Sequence, residues 1–152
     1  MVKVLFVCLG NICRSPMAQF VLKQMVDENG LSDRFEIDSA ATESYNEMCN
    51  AGIYYGTREI LNAKRVPFEE HYSRRIRKTD YVHFDYIIAM DESNIRDIQS
   101  IIGPDTEHKI YRLLDFTNNS RNIRDPWYTG NFEECYQDIV NGCQGFLDYL
   151  NL

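Results

Sequence analysis

The sequence has no long apolar run, and none of its hydrophobic stretches approaches the roughly 20 residues that a helix needs to cross a bilayer. Its first residues, Met1–Val7, contain one lysine and lead directly into a predicted strand, without the small-residue cleavage site of a signal peptide. These absences predict a protein that is not inserted in a membrane and is not exported.

Positive charge is also scarce. The chain has 16 Lys and Arg residues against 23 Asp and Glu residues, a formal net charge of −7 at pH 7. Broad nucleic-acid binding requires a basic face. The composition therefore argues against a nucleic-acid partner.

Disulfide and metal-binding patterns are missing as well. The five cysteines are odd in number, include no Cys-x-x-Cys pair and form no cluster with histidine at zinc-binding spacing. A reducing compartment is the simplest interpretation. We therefore expect a cytoplasmic protein with no metal site and no cofactor.

The remaining pattern is that of a globular α/β protein. The 152 residues, 44% hydrophobic and 26% charged, predict a single domain over residues 1–152. Short apolar runs predict four strands, at Val4–Val7, Phe35–Ala41, Phe84–Met90 and Lys109–Leu114. Helical spacing predicts helices from Ser15-Pro16 to Asn29-Gly30, over Arg58–Lys64 and Ser93–Ile102, and through a last apolar stripe of Phe132, Tyr136, Ile139, Cys143, Phe146 and Leu150.

Strands that alternate with helices favour right-handed βαβ units and a parallel sheet covered on both faces. Three segments are predicted to be irregular: Thr42–Gly56, Glu69–Arg77 and Asp115–Gly130. In such folds, ligands bind beyond the carboxyl ends of the strands.

One loop carries the clearest functional pattern. Cys8 ends the first strand, and Arg14 follows six residues later at the entrance to a helix that Ser15 is expected to cap. Between them, Gly10-Asn11 tolerates the left-handed backbone of a tight loop. Consecutive N–H groups and a helix N-terminus would cradle a phosphate-sized dianion, and a thiol below it would ionise readily and act as a nucleophile.

At this loop the chain resembles the low-molecular-weight protein tyrosine phosphatases. Their active-site sequence, Cys-x-Gly-Asn-x-Cys-Arg-Ser-Pro, matches Cys8–Pro16 at every fixed position. The resemblance implies a flavodoxin-like three-layer sandwich with a four-stranded parallel sheet. It also implies hydrolysis of phosphotyrosine and small aryl phosphates through a cysteinyl-phosphate intermediate. The expected partners are phosphotyrosine-containing proteins, with phosphate or other oxyanions in the active site.

Each residue of the loop then receives an expected role. Cys8 is the nucleophile, and the guanidinium of Arg14 binds two phosphate oxygens at once. Ser15 donates its hydroxyl to the thiolate and so helps it leave the intermediate. The backbone N–H groups that hold the phosphate oxygens are those of Leu9, Gly10, Asn11, Ile12, Cys13 and Arg14.

The proton for the leaving oxygen must come from another segment. Asp125-Pro126 is the candidate, because Trp127 and Tyr128 follow directly and supply aromatic walls for a phenyl ring. An Asp-Pro-aromatic loop also carries the general acid in the family that the chain resembles.

The resemblance assigns three further positions. Tyr45 falls where a bulky wall residue is expected. Ser39 and His71 are expected to hold Asn11 through hydrogen bonds. The chain departs from the family at Gly56-Thr57-Arg58, where Asp-Pro-Arg is common, and this puts the preference among peptide substrates in doubt.

Three other functions stay open at this point. An arsenate-reductase-like thiol oxidoreductase would need a further cysteine pair, but Cys49, Cys135 and Cys143 are scattered. A protein-arginine phosphatase has a small polar residue where Ile12 stands. A non-catalytic phosphopeptide-binding module would lack the nucleophile or the acid, and both are present.

Overall fold

The computed structural model describes residues 1–152 and contains one sheet of four strands. The strands are β1 (Val2–Cys8), β2 (Phe35–Ala41), β3 (Tyr86–Ala89) and β4 (Ile110–Arg112), in the spatial order β2-β1-β3-β4. All three pairings are parallel. The predicted α/β fold with a four-stranded parallel sheet is therefore confirmed.

Helices cover both faces of this sheet. They are α1 (Arg14–Glu28), α2 (Tyr45–Met48), α3 (Tyr55–Ala63), α4 (Lys78–His83), α5 (Glu92–Ile102), α6 (Pro126–Thr129) and α7 (Phe132–Leu150), with 3₁₀ turns at Ser32–Arg34 and Leu113–Phe116. The face that carries α1 and α7 has the larger core, and α4 and α5 cover the other face. None of these helices combines the length and the apolar character that a membrane span requires.

Residue alternation along β1 divides its side chains between the two cores. Val4, Phe6 and Cys8 contribute to the larger core, whereas Leu5 and Val7 contribute to the smaller one. All five are buried because β1 is central and covered on both sides. Cys8 therefore ends the strand on the side of α1, at the carboxyl edge of the sheet.

The last helix has the predicted stripe. Ile139, Cys143 and Phe146 are fully buried, and the other members of the stripe pack partly buried around the same core. Asn131 caps the helix by accepting the backbone N–H of Glu134 over 2.9 Å. A periodic pattern of this length is the strongest secondary-structure signal in the chain.

Short elements differ from the sequence prediction. The structure has one-turn helices, α2 and α6, inside Thr42–Gly56 and Asp115–Gly130, and α4 follows directly after Glu69–Arg77. Strands β3 and β4 are also shorter than predicted. A helix of one or two turns has no stability of its own in water, so tertiary contacts decide where it forms.

Candidate active site

The thiol of Cys8 lies at the base of a loop that curls over it. Cys8 is 3% exposed, and its Sγ accepts the backbone N–H of Asn11 over 3.2 Å. Asn11 adopts φ = 55°, the left-handed conformation that the loop needs for its turn. The rest of the loop, Leu9–Arg14, lines the space beside the sulfur, and the backbone N–H groups of such a loop can bind an anion there.

Helix α1 begins two residues earlier than predicted. Its N-cap is Cys13, and no side chain caps it, so the prediction that Ser15 caps the helix is wrong. Ser15 lies inside the first turn, fully buried, with Oγ 3.0 Å from Cys8 Sγ. The hydroxyl is turned toward the thiol instead of toward the helix N–H groups.

The side-chain amide of Asn11 uses all of its hydrogen-bonding capacity. Its Nδ2 donates to Ser15 Oγ over 2.7 Å and to Ser39 Oγ over 3.0 Å. Its Oδ1 accepts from Arg74 N over 3.3 Å and lies 2.9 Å from His71 Nε2, which therefore carries the donated proton. The structure thus brings together the three residues Asn11, Ser39 and His71.

The donor and the acceptor of each hydrogen bond in this network can be assigned. Ser39 donates its own hydrogen to Gln19 Oε1 over 2.5 Å and so receives from Asn11. Ser15 also receives from Asn11, which leaves its hydrogen free for Cys8 Sγ. Burial lowers the pKa of His71, because the charged imidazolium is poorly solvated there. A neutral ring with its proton on Nε2 matches this arrangement.

Arg14 is buried among three acceptors. Its Nη1 donates to Asp91 Oδ2 over 2.7 Å and to the carbonyl of Ile123 over 2.8 Å, and its Nη2 lies 3.5 Å from Asp125 Oδ2. Burial lowers the pKa of Arg14, but the negative charges of Cys8, Asp125 and Asp91 outweigh it and raise the pKa overall. The guanidinium remains a cation at every physiological pH.

Asp125 faces Arg14 across the pocket and caps the one-turn helix α6. Its Oδ1 accepts the backbone N–H of Trp127 over 3.0 Å. Its other oxygen, Oδ2, is the one on the side of Arg14. Pro126 at the first helical position suits this start, because it needs no N–H partner there.

These groups line one pocket of about 170 Å³. Its lining consists of Cys8, Leu9, Gly10, Asn11, Ile12, Cys13, Arg14, Glu43, Asp125, Trp127 and Tyr128. Tyr45 is not among them: its side chain is 67% exposed at the start of α2, and Glu43 lines the pocket instead. Tyr45 therefore lies outside the enclosed part of the pocket, and its role as a wall residue for a bound substrate stays a prediction.

The remaining cysteines lie elsewhere. Cys135 and Cys143 are buried on α7, where burial raises the pKa of both thiols, and Cys49 is exposed next to α2. None of the three lines the pocket. No group of three or more His, Cys, Asp or Glu side chains is arranged to hold a metal ion.

Sequence reasoning missed several contributors to the site. Asp91 caps helix α5 with one carboxylate oxygen, and its second oxygen pairs with Arg14. Gln19 is a helix residue 20 positions before Ser39, to which it is bonded. Glu43 and Tyr54 lie in the segment Thr42–Gly56, which was predicted to be irregular. No local pattern distinguishes them, because their partners are distant in the chain.

A buried thiol below a loop of N–H groups, a buried guanidinium and a carboxylate across the same pocket define a class of enzyme. The thiol, as its thiolate, can attack phosphorus, the cation can hold the phosphate oxygens, and the carboxyl group, when protonated, can give a proton to the departing oxygen. The class is that of the cysteine-dependent phosphatases, which hydrolyse phosphoric monoesters.

Comparison with known proteins identifies the family. Residues 3–152 match the family model described as low molecular weight phosphotyrosine protein phosphatase, and the chain belongs to this family. It is 40% identical over 151 residues to the low molecular weight protein-tyrosine-phosphatase PtpA of Staphylococcus aureus, covering 99% of this chain and 94% of that protein.

Two solved structures extend the comparison. The crystal structure of YfkJ from Bacillus subtilis has a TM-score of 0.92 and 40% identity, covering 99% of this chain and 95% of that one. The structure of DARP, drosophila arginine phosphatase, has a TM-score of 0.88 and 32% identity, covering 99% of both chains. Both cover the entire fold described above.

Proposed function

We propose that this enzyme hydrolyses phosphotyrosine on proteins, and small aryl phosphates, in two steps through a cysteinyl-phosphate on Cys8. The observation that carries the proposal is the convergence of Cys8, Arg14 and Asp125 on one pocket. The thiol is buried and already accepts two hydrogen bonds, from Asn11 N and Ser15 Oγ. The carboxylate stands opposite, beside the guanidinium.

In the first step, the Cys8 thiolate attacks phosphorus and the bond from phosphorus to the phenolic oxygen breaks. Asp125, in its protonated form, gives its proton to that oxygen, so that a neutral phenol leaves. The backbone N–H groups of residues 9–14 and the Arg14 guanidinium bind the three phosphate oxygens, where negative charge accumulates.

In the second step, water attacks the phosphorus of the cysteinyl-phosphate. The Asp125 carboxylate now accepts a proton from the water, and the bond between sulfur and phosphorus breaks. Sulfur leaves as a thiolate, which the Ser15 hydroxyl stabilises by donating its hydrogen. Inorganic phosphate departs, and the enzyme returns to its starting state.

The pocket wall favours an aryl group. Ile12, Trp127 and Tyr128 line it with apolar surface on which a flat ring can pack. Burying that surface contributes roughly 25 cal/mol per Å². A phenyl ester therefore gains binding energy that phosphoserine and phosphothreonine, which lack a ring, do not.

A protein-arginine phosphatase is the second candidate, and one observation favours it. The Glu43 carboxylate lines the pocket and forms no ion pair, so it is available to a guanidinium. Against it, Ile12 would desolvate that guanidinium without offering a hydrogen bond. We rank the aryl substrate first because three pocket residues favour it against one.

The proposed partners are phosphotyrosine-containing proteins. Free phosphate and similar oxyanions are expected to compete with them for the phosphate-binding loop. We place the enzyme in the cytoplasm, since its mechanism depends on a reduced Cys8 and a reducing compartment keeps such a thiol free. Inorganic phosphate should inhibit competitively.

The decisive experiment measures phosphate release from phosphotyrosine, phosphoserine and phosphoarginine peptides by wild-type protein, Cys8→Ser and Asp125→Asn. We expect phosphotyrosine to be preferred, no turnover with Cys8→Ser, and a loss of about 10²–10⁴-fold with Asp125→Asn. A serine hydroxyl is not ionised at neutral pH and has no base beside it. Turnover by Cys8→Ser near the wild-type rate would contradict the proposal, and a preference for phosphoarginine would establish the second candidate.

A further inference from the structure

The general acid is carried by an element that cannot hold its own shape. Helix α6 has a single turn, Pro126–Thr129, and both aromatic residues in it are largely exposed. An isolated turn of helix is unstable in water. The orientation of Asp125 therefore depends on contacts that other parts of the chain make with this turn.

One side chain makes such a contact from outside the acid loop, the segment Asp125-Pro126-Trp127-Tyr128. The ring of Tyr54 meets the ring of Trp127 edge to face, with centroids 4.9 Å apart and planes at 65°. On its other side, Tyr54 stacks on Phe132 of α7, with centroids 5.9 Å apart and planes at 17°. Tyr54 thus holds Trp127 against the body of the protein.

The backbone of Tyr54 is hydrogen-bonded to the phosphate-binding loop, Cys8–Arg14. The N–H of Tyr54 donates to the carbonyl of Ile12 over 2.9 Å. This bond fixes the backbone position from which the Tyr54 ring extends, relative to Cys8 and Arg14. Trp127 in turn donates its N–H to Asp125 Oδ1 over 3.0 Å. A continuous set of contacts therefore leads from the phosphate-binding loop, through Tyr54 and Trp127, to the carboxyl of the acid.

Gly56, two positions after Tyr54, permits the packing of Tyr54 on Phe132. A Cβ atom on Gly56 would lie 2.4 Å from the Phe132 ring, a distance that real Cβ atoms do not show. Glycine at this position lets Phe132 approach closely enough to stack on Tyr54. The departure from Asp-Pro-Arg at Gly56-Thr57-Arg58 thus coincides with an aromatic stack that extends to the acid loop.

We propose that Tyr54 is a positioning residue, whose ring sets the orientation of the Asp125 carboxyl toward the leaving oxygen. The proposal rests on the function proposed above, in which Asp125 protonates the leaving group. It makes Tyr54 act through Trp127, without touching the substrate phosphate. The contacts of Tyr54 with Trp127 and Phe132 are made by its ring, so we expect the ring, and not the hydroxyl, to carry the effect.

The expected consequence depends on the substrate. A poor leaving group, such as unsubstituted phenol, needs full protonation in the transition state, whereas 4-nitrophenol leaves with little help. A misplaced acid therefore slows phenyl phosphate more than 4-nitrophenyl phosphate. Aromatic pairs contribute modest energies, so we expect Tyr54→Ala to lower kcat/KM for phenyl phosphate about three- to tenfold, with little change for 4-nitrophenyl phosphate.

The experiment measures kcat/KM for a series of substituted phenyl phosphates and plots its logarithm against the pKa of the leaving phenol. The proteins are wild type, Tyr54→Ala, Tyr54→Phe, Tyr55→Ala and Asp125→Asn. Tyr55 is the matched control, since it is adjacent, 68% exposed and bonded through its hydroxyl to Glu59, away from Trp127. Because kcat/KM covers only the steps up to phenol release, hydrolysis of the intermediate does not affect the result.

We expect Asp125→Asn to give the steepest plot and Tyr54→Ala an intermediate slope, with Tyr54→Phe and Tyr55→Ala on the wild-type line. A wild-type slope for Tyr54→Ala, or an equal loss for every substrate, would overturn the proposal. If Tyr54→Ala does not fold, Tyr54→Leu keeps the bulk without the aromatic ring and is judged by the same slopes. An unchanged slope for Asp125→Asn would instead reject Asp125 as the acid, so the two failures are distinguishable.

Discussion

Nη1 of Arg14 donates to Oδ2 of Asp91 over 2.7 Å, and the arginine side chain in this pair is 3% exposed. The other carboxylate oxygen of Asp91 caps α5 by accepting the backbone N–H of Asn94. Burial raises the pKa of Asp91, but the hydrogen bonds from Arg14, Ser93 and Asn94 and the charge of Arg14 outweigh it and lower the pKa overall. Asp91 therefore stays ionised and orients the guanidinium, whose Nη2 lies on the side of Asp125.

Replacing Asp91 by Asn should weaken catalysis without removing the helix cap, because Asn is also a good N-cap. The buried guanidinium would lose its charged partner, and we expect kcat/KM for aryl phosphates to fall about tenfold and the inhibition constant of phosphate to rise. Steady-state kinetics with phosphate as inhibitor measures both.

Glu92→Gln is the matched control for this prediction. Glu92 is the next residue, but its side chain is exposed and pairs with Arg112 on the surface. It should leave both constants unchanged. An Asp91→Asn enzyme with wild-type kinetics would mean that the carbonyl of Ile123 and the pocket suffice to orient Arg14.

Ile12→Thr should shift the substrate preference from phosphotyrosine toward phosphoarginine. The change removes apolar surface from the pocket wall and adds a hydroxyl that can bond to a guanidinium. We expect a change in the selectivity ratio worth about 1–3 kcal/mol, the usual limit for one pocket group. The ratio of kcat/KM for matched phosphotyrosine and phosphoarginine peptides decides the matter, and an unmoved ratio would locate the preference in Thr42–Gly56.

Oxidation of Cys8 should be followed by a disulfide to Cys13, and that second reaction should be slow at neutral pH. Burial, and then the charges of Cys8 and Asp125, raise the pKa of Cys13 to about 12. Only a thiolate attacks a sulfenic acid, so the rate of disulfide formation should rise about tenfold per pH unit above pH 7.

The measurement is the fraction of peroxide-inactivated enzyme that a dithiol restores, as a function of the pH during oxidation. Recovery should be lower in Cys13→Ser than in wild type, because the unresolved sulfenic acid oxidises further. Cys49→Ser, which changes an exposed cysteine outside the pocket, should behave as wild type. Equal recovery in all three proteins would remove Cys13 from the redox chemistry.

Folding stability should depend on pH through His71. Burial lowers the pKa of this residue in the folded state, so the unfolded chain binds the proton more readily. The contribution of neutral His71 is therefore complete above the unfolded pKa of roughly 6.5 and is lost as the pH falls through the lower folded value.

Urea unfolding between pH 8 and pH 5 tests this. The decline of the free energy of unfolding below pH 6.5 should be smaller in His71→Gln than in wild type. His108→Asn is the control, since His108 is exposed and its positive φ of 54° is one that Asn tolerates. An unchanged decline in His71→Gln would assign the pH dependence to carboxylates.

Elements that extend over many residues were predictable. The last helix and β2 follow from hydrophobic periodicity, and β2 has the predicted bounds Phe35–Ala41. Short elements were not predictable: α2, α4 and α6 span four to six residues each. Their propensities are too weak to outweigh the tertiary contacts that determine them.

The role of Ser15 shows why local rules fail at the site. A serine before a proline predicts a helix cap. Here Asn11 donates to Ser15 and supports its bond to Cys8, so the hydroxyl serves the thiol and the helix starts two residues earlier. A site that binds an anion departs from ordinary helix chemistry, because its polar groups are committed to the ligand.

The sequence by itself determined the parallel α/β fold, the phosphate-binding loop and the pair Cys8 and Arg14, since these depend on periodicity and on spacing within one short stretch. It also pointed to Asp125, through the residues that follow it. Only the tertiary structure placed Asp91 on Arg14, Glu43 in the pocket, and Tyr54 against Trp127. These contacts join segments 77, 29 or more, and 73 residues apart, and chain folding, not local pattern, brings such segments together.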